Sequence, residues 1–330
     1  MRLCKQLPYC SSSSYTTSSG ELKTMRLRLV IVATILVCFT AQAETVRGTP
    51  ILVSSIYLSP DITSNKLAEI DRGREVVILE TSGGWLHVEA ALTEEKVITG
   101  WMLNKGIVQG STPNGDKIVF GEAVDSEDQA SQRHGRRGAA QDAMRLYYRT
   151  AEYFPNSPLA GEAMYRSADI RWQIDKADVM SRPSSKEKEA YLREGMTEDF
   201  MKEVMKKFPG TKWADLAAFH LIENKLCGEW QGSSKCPEKE AEMYEKYVND
   251  HPQSPVLAEA LYDAAWRRSA LIEMYKTDNQ SKKSDESRGK AIALAQKAVA
   301  QGPQSDWGAR AQLLLFMIEQ GVPTYGNATE

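Results

Sequence analysis

The spacing of apolar positions changes character along this chain. Met25-Arg-Leu-Arg28 leads into an apolar run from Leu29 to Phe39. From about residue 47 to 110, clusters of Val, Ile and Leu are short and broken by Gly, Pro and Asn, the pattern of strands and turns. The strand segments predicted there are Ile56-Tyr-Leu58, Glu75-Val-Val-Ile-Leu79, Trp85-Leu-His-Val88 and Thr99-Gly-Trp101-Met-Leu103. Pro60-Asp61, Asp71-Arg-Gly73 and Gly83-Gly84 are the turns between them. From Ala139 onward the period lengthens: Met144, Tyr147, Tyr148, Ala151 and Phe154 recur at three- and four-residue spacing, the mark of an amphipathic helix. Residues 111–140 read as a linker passing into the first helix, turn-forming at Ser111-Thr-Pro-Asn-Gly115 and acidic and polar from Gly121 to Gln132.

One phrase returns four times in the helical part. It runs Tyr147 to Ser157, Phe200 to Thr211, Tyr244 to Ser254 and, more weakly, Ala295 to Ser305, each copy carrying Pro-x-Ser/Thr at its end. Proline lacks an N–H and stops one helix. The hydroxyl two residues on can cap the next by accepting a free backbone N–H. Small residues follow, Ala160 and Ala163, Ala214 and Ala217, Ala258 and Ala260, Ala309 and Ala311, and let neighbouring helices approach closely. The prolines stand 54, 43 and 51 residues apart, longer than the roughly 34 of a tetratricopeptide unit. Polar insertions at 182–188 and 278–284 are expected to take up the excess.

Phe154-Pro-Asn-Ser-Pro-Leu-Ala-Gly-Glu-Ala163 and His251-Pro-Gln-Ser-Pro-Val-Leu-Ala-Glu-Ala260 resemble tetratricopeptide-like repeats of bacterial envelope proteins. Among these are the lipoprotein of the outer-membrane β-barrel assembly machinery and the periplasmic cell-division coordinators. Ile56-Tyr-Leu58 with Pro60, Arg72-Gly73, Gly84-Trp85-Leu-His-Val88 and Gly100-Trp101-Met102 resemble the bacterial SH3-like (SH3b) domain. Wall-binding members of that family often carry Asn-Val-Arg in the first strand; here the place reads Tyr57-Leu58-Ser59. The resemblances imply a small SH3-like β-barrel over 47–110, a linker and first helix over 111–140, a tetratricopeptide-like α-solenoid over 141–321 and a tail over 322–330. In such a barrel Trp85 and Trp101 either pack over the small core or line a groove for a glycan or peptide, with Tyr57 a candidate for the same groove.

Charge and cysteine usage add a compartment. The apolar run after Met25 is too short for a normal span, and Ala41-Gln-Ala43 fits a signal-peptidase site that leaves Glu44 first. Residues 25–43 are therefore expected to be a signal peptide and 1–24 an upstream extension. The alternative is an uncleaved signal acting as a membrane anchor. Cys38 follows Val37, unlike the small residue before a lipidated cysteine. Without residues 1–43, which hold five basic residues and one acidic, the chain's 41 basic and 44 acidic residues become 36 and 43, a balance of −7. That argues against general nucleic-acid binding. Arg133-His-Gly-Arg-Arg137, the one local basic cluster, reads as a solvated loop or as a site for an anionic partner. Cys227 and Cys236, flanking a Gly/Ser-rich loop in an exported chain, are expected to form a disulfide.

Catalytic signatures are missing. The sequence has no His-Glu-x-x-His, no Gly-x-Ser-x-Gly, no phosphate-binding glycine loop and no Cys-rich zinc pattern. His220, in an apolar stretch, reads as a core or boundary residue, and the mixed Glu/Lys run from Glu238 to Glu245 as a solvated helix face. Tyr148, Tyr165, Trp172, Trp213, Tyr247, Tyr262 and Trp266 read as packing within the array. The expected function is a non-enzymatic exported scaffold of the bacterial envelope, in the periplasm or wall, with no cofactor and no metal. Its partners would be proteins on the repeats and peptidoglycan or a peptide on the barrel, with no nucleic acid and membrane only through an uncleaved signal. The alternatives are a component of outer-membrane or secretion machinery with the barrel as spacer, and an accessory to a cell-wall hydrolase.

Overall fold

The computed structural model describes residues 45–93, 95–187 and 189–325. The expected upstream extension, the signal peptide, its cleavage site at Ala43 and Glu44, and residues 326–330 lie outside them. Among the described residues the chain is a curled half-barrel sheet of seven antiparallel strands followed by nine α-helices.

The strands are β1 (Arg47–Pro50), β2 (Ser54–Tyr57), β3 (Lys66–Ile70), β4 (Val76–Ser82), β5 (Trp85–Ala91), β6 (Val97–Leu103) and β7 (Ile107–Gln109), in the order β3-β2-β6-β5-β4-β1-β7. Strand alternation sorts their side chains. Leu86, Val88 and Ala90 point into the sheet's core with Ile56, Ile70, Val76 and Met102, while Trp85, His87 and Glu89 point out. Each predicted strand segment contributes to a strand, but Leu58 and Glu75 fall just beyond their ends. The short β1, β3 and β7 carry no alternation long enough to announce them.

The helices are α1 (Gly115–Ser131), α2 (Ala139–Tyr153), α3 (Ala160–Ser181), α4 (Asp199–Lys207), α5 (Lys212–Glu223), α6 (Lys235–Asp250), α7 (Leu257–Thr277), α8 (Ser281–Gln301) and α9 (Asp306–Gln320). The expected linker is largely helix. The 17-residue α1 buries Val119 and Ala123 in the same core as Ala143, Leu146 and Tyr147 of α2. The basic cluster falls in the α1–α2 connection, where Arg136 pairs with Asp142 at 2.5 Å while Arg133 and Arg137 stay exposed. Between α3 and α4 the polar insertion holds one short 3-10 turn, Pro183–Lys186, and a second follows at Ala190–Leu192. Residues 278–284 differ from expectation: a three-residue connection leads straight into the 21-residue α8, so helix length takes up the excess.

The repeated phrase marks the α2–α3, α4–α5, α6–α7 and α8–α9 connections. Thr211 and Ser305 cap α5 and α9, accepting from Ala214 N at 3.4 Å and Gly308 N at 3.1 Å. Ser157 and Ser254 are followed by a second proline, and regular helix starts three residues later. Their hydroxyls accept from Leu159 N and Val256 N, each at 3.2 Å, in the turn before the helix. Most of the small residues are buried, but Ala309 is exposed; Gly308 and Ala311 make the close approach there.

Buried polar groups knit the helices. Within the supposed solvated face, Glu240 is 2% exposed and pairs with the buried Arg267 at 2.8 Å. Its other oxygen accepts from Cys227 N at 2.8 Å and Trp230 Nε1 at 3.2 Å. A buried carboxylate is tolerated only with such partners. Burial pushes the neighbouring Asp263 carboxyl above its ordinary range, against the pull of Arg267. His220 sits between α3 and α5, with Nε2 3.1 Å from Tyr165 Oη and 3.3 Å from Asp169 Oδ1. Burial holds its pKa below 6.5, with Asp169 pulling the other way.

The sheet is docked on the helices through the turn between β3 and β4. Arg145 Nε donates to the Arg72 carbonyl at 3.0 Å, and Arg149 Nε to the Gly73 carbonyl at 3.3 Å. Arg149 also reaches Glu75 at 3.2 Å, and Arg72 pairs with Glu122 of α1. Val108 of β7 belongs to the helical core. Gly73 has φ +73°, and a Cβ there would lie 2.7 Å from Arg145 Cβ and Leu146 N.

Three outcomes test this packing. Gly73→Ala should lose roughly 2–4 kcal/mol in denaturant unfolding, because a positive φ and a backbone clash add; a loss within error would mean the turn is not held against α2. The native protein should show no free thiol at Cys227 or Cys236, and the double Cys→Ser variant should lose roughly 2–3 kcal/mol. Since native His220 binds fewer protons than the unfolded chain, its contribution is lost as pH falls below 6.5. Between about pH 7.5 and about pH 5, His220→Gln should therefore drop less in melting temperature than the parent; parallel drops would deny His220 that role.

Candidate functional site

Sheet geometry brings the three aromatic candidates together. Tyr57 ends β2 and stands opposite Trp101 on β6. His87 on β5 stands opposite Trp101 from the other side. All three point outward, as does Trp85 two residues before His87, because inward and outward positions alternate on each strand. The Tyr57 and Trp85 rings meet edge to face at 5.8 Å, and the His87 and Trp101 rings stack at 4.8 Å and 22°. Trp85 and Trp101 therefore do not pack over the sheet's interior, which Ile56, Leu86, Val88 and Met102 fill. They are half-buried by one another and by their neighbours.

Close strand approach produces this cluster. Gly100, beside Trp101, faces inward under β2; a Cβ there would lie 2.6 Å from Ile56 Cγ2 and 2.7 Å from the Tyr57 carbonyl. Only glycine lets β2 come near enough to set Tyr57 against Trp101. Leu103, 43% exposed and opposite Trp85, extends the apolar surface, and Glu80, opposite His87, borders it. The result is a surface of ring faces and edges with one imidazole, suited to stacking on a sugar ring or an apolar side chain. His87 is the member that sequence reasoning missed. Its position two residues from Trp85, on the outward parity of the same strand, was the available signal.

The array's aromatic residues lie elsewhere and do a different job. Trp172 and Tyr247 are buried. Tyr165 of α3 stacks on Trp213 of α5 at 5.7 Å, Tyr262 meets Trp307 at 5.5 Å, and Trp266 meets Trp230 at 4.9 Å. Tyr148 is half-buried at the foot of a groove where α2, α3 and α4 meet the sheet's turn. Cys227 and Cys236 are joined in a disulfide that ties the α5–α6 loop to the first turn of α6. Trp230, within that loop, packs between Trp266 and Tyr325 with tilted rings. A disulfide is compatible with an oxidising compartment. Among the described residues no cluster of His, Cys, Asp and Glu could hold a metal ion, and no helix is long and apolar enough to cross a membrane.

No family model matches the chain, and no curated protein matches it. Among solved structures it is similar to chains titled DHF58 filament, DHF119 filament and DHF79 filament, at 14%, 14% and 11% identity. The alignments cover 62%, 63% and 61% of this chain and 91%, 95% and 96% of theirs, with TM-scores of 0.22, 0.21 and 0.21. Likeness at that level carries no argument about fold or function.

Proposed function

We propose that this protein is a non-enzymatic, exported scaffold of the bacterial envelope. In this reading the curled sheet is an SH3-like barrel, and the helices from α2 onward form a tetratricopeptide-like solenoid that holds a protein partner. The sheet's outer face binds peptidoglycan or a peptide. The observation that carries the proposal is the gathering of Tyr57, Trp85, His87 and Trp101 on one outward face, outside the aliphatic core of the sheet. The disulfide fits export. Two weak sites on one chain gain by effective concentration, which is how such a protein would tether. A second reading, in which the repeats carry the function and the sheet is a spacer, draws on the fixed attachment of the β3–β4 turn to α2.

Residues 44–330, rather than the sheet alone, should be used, because the sheet shares a core with the helices. This protein should co-sediment with purified peptidoglycan, and Trp85→Ala and Trp101→Ala should each weaken binding by roughly tenfold with unchanged melting. Failure to sediment, with helix-dependent capture of envelope proteins intact, would favour the spacer reading.

A further inference from the structure

A groove lies where the β3–β4 turn meets the helices. It is lined by Met144, Arg145, Tyr148 and Arg149 of α2, Ser167 and Arg171 of α3, Phe200 of α4 and Gly73 of the β3–β4 turn. Its volume of about 170 Å³ compares with the roughly 150 Å³ in which an engineered apolar cavity holds benzene. The floor is apolar. Two of the lining arginines sit over its rings: Arg171 over the Phe200 ring at 4.8 Å and Arg149 over the Tyr148 ring at 5.6 Å.

The guanidinium groups have capacity left. Arg145 makes its hydrogen bonds through Nε and Nη2, and Arg149 through Nε and Nη1. Among the described residues Arg145 Nη1 and Arg149 Nη2 make none, and Arg171 has only a 3.5 Å ion pair from Nε to Asp175. The carboxylates that balance these arginines, Asp71, Asp142, Glu75, Glu152 and Asp175, do not line the groove. The groove's lining thus holds three arginines and no carboxylate. Planar guanidinium suits paired recognition of a carboxylate.

We propose that this groove binds an acidic peptide segment of a partner protein. The segment seats one apolar side chain on Met144, Tyr148 and Phe200, and its flanking carboxylates meet Arg145, Arg149 and Arg171. This deepens the reading of a protein partner on the helices and uses no residue of the aromatic face, so the two can fail separately.

The test is calorimetric titration of residues 44–330 with three synthetic peptides: Gly-Asp-Glu-Phe-Asp-Glu-Gly, the same with Lys for each acid, and the same with Ala for Phe. The acidic phenylalanine peptide should bind roughly tenfold or more tighter than either control, and weaken as salt is raised. Arg171→Glu, at a partly exposed position, should reduce its affinity by roughly tenfold or more with unchanged melting, and Arg171→Gln by less. Should a variant misfold, the comparison of peptides on the parent protein still decides. Equal binding of the three peptides, no binding of the acidic one, or full affinity in a folded Arg171→Glu would overturn the proposal. Loss of peptidoglycan binding in Trp85→Ala with peptide binding intact would leave it standing.

Discussion

The turn from Asp71 to Glu75 is held by its backbone, not by its side chains alone. Carbonyls of Arg72 and Gly73 accept from Arg145 and Arg149, two guanidinium groups one helical turn apart on α2. Such spacing puts both donors on one face. The contact works because Gly73 brings no Cβ, so the turn lies against the α2 backbone itself. Much of the remaining architecture follows. With the turn seated, β7 lies beside β1, and its Val108 enters the core that α1, α2 and α3 build. Gly115 then opens α1 against Phe154 and Val108. A sheet of seven short strands, open at both edges, gains from the helices the apolar cover it could not supply itself.

This contact also marks where the sequence stopped being readable. Strands with full alternation, such as Trp85 to Ala91, announce themselves because one face is buried and the other is not. The prolines announce the helix ends for a covalent reason that no tertiary contact changes. Cys227 and Cys236 were legible from spacing and context. By contrast, α1 was hidden because only a narrow stripe of it is fully buried, Gly115, Val119, Ala123 and Ser126, and acidic residues are interspersed along it. Glu240 was hidden for a deeper reason. Nothing local distinguishes a glutamate whose partner is Arg267, 27 residues on, from the solvated glutamates around it.

The same limit applies to the candidate site. Tyr57, Trp85 and Trp101 could be picked out as aromatic residues, but whether they faced in or out depended on strand parity and on which strands were neighbours. The order β2-β6-β5 sets the three beside one another, and the absence of a side chain at Gly100 sets how closely. Once β5 and β6 are paired, His87 joins the group as a matter of register. Had it been shifted by one residue, the same rings would have filled the interior and left an aliphatic exterior.

Rigid docking bears directly on how a two-surface scaffold would work. If the sheet hung on a flexible linker, a ligand on its outer face and a partner on the helices would sample many relative orientations, and tethering would depend on linker length alone. Here α1 packs on α2 and the β3–β4 turn is bonded to α2, so the sheet and first helices share one core. Orientation between the two surfaces is then fixed by the fold. The groove lined by α2, α3 and α4 takes Gly73 of the β3–β4 turn into its wall at that contact. Binding in it would stabilise the docked arrangement, by the ordinary linkage between a ligand and the state that binds it.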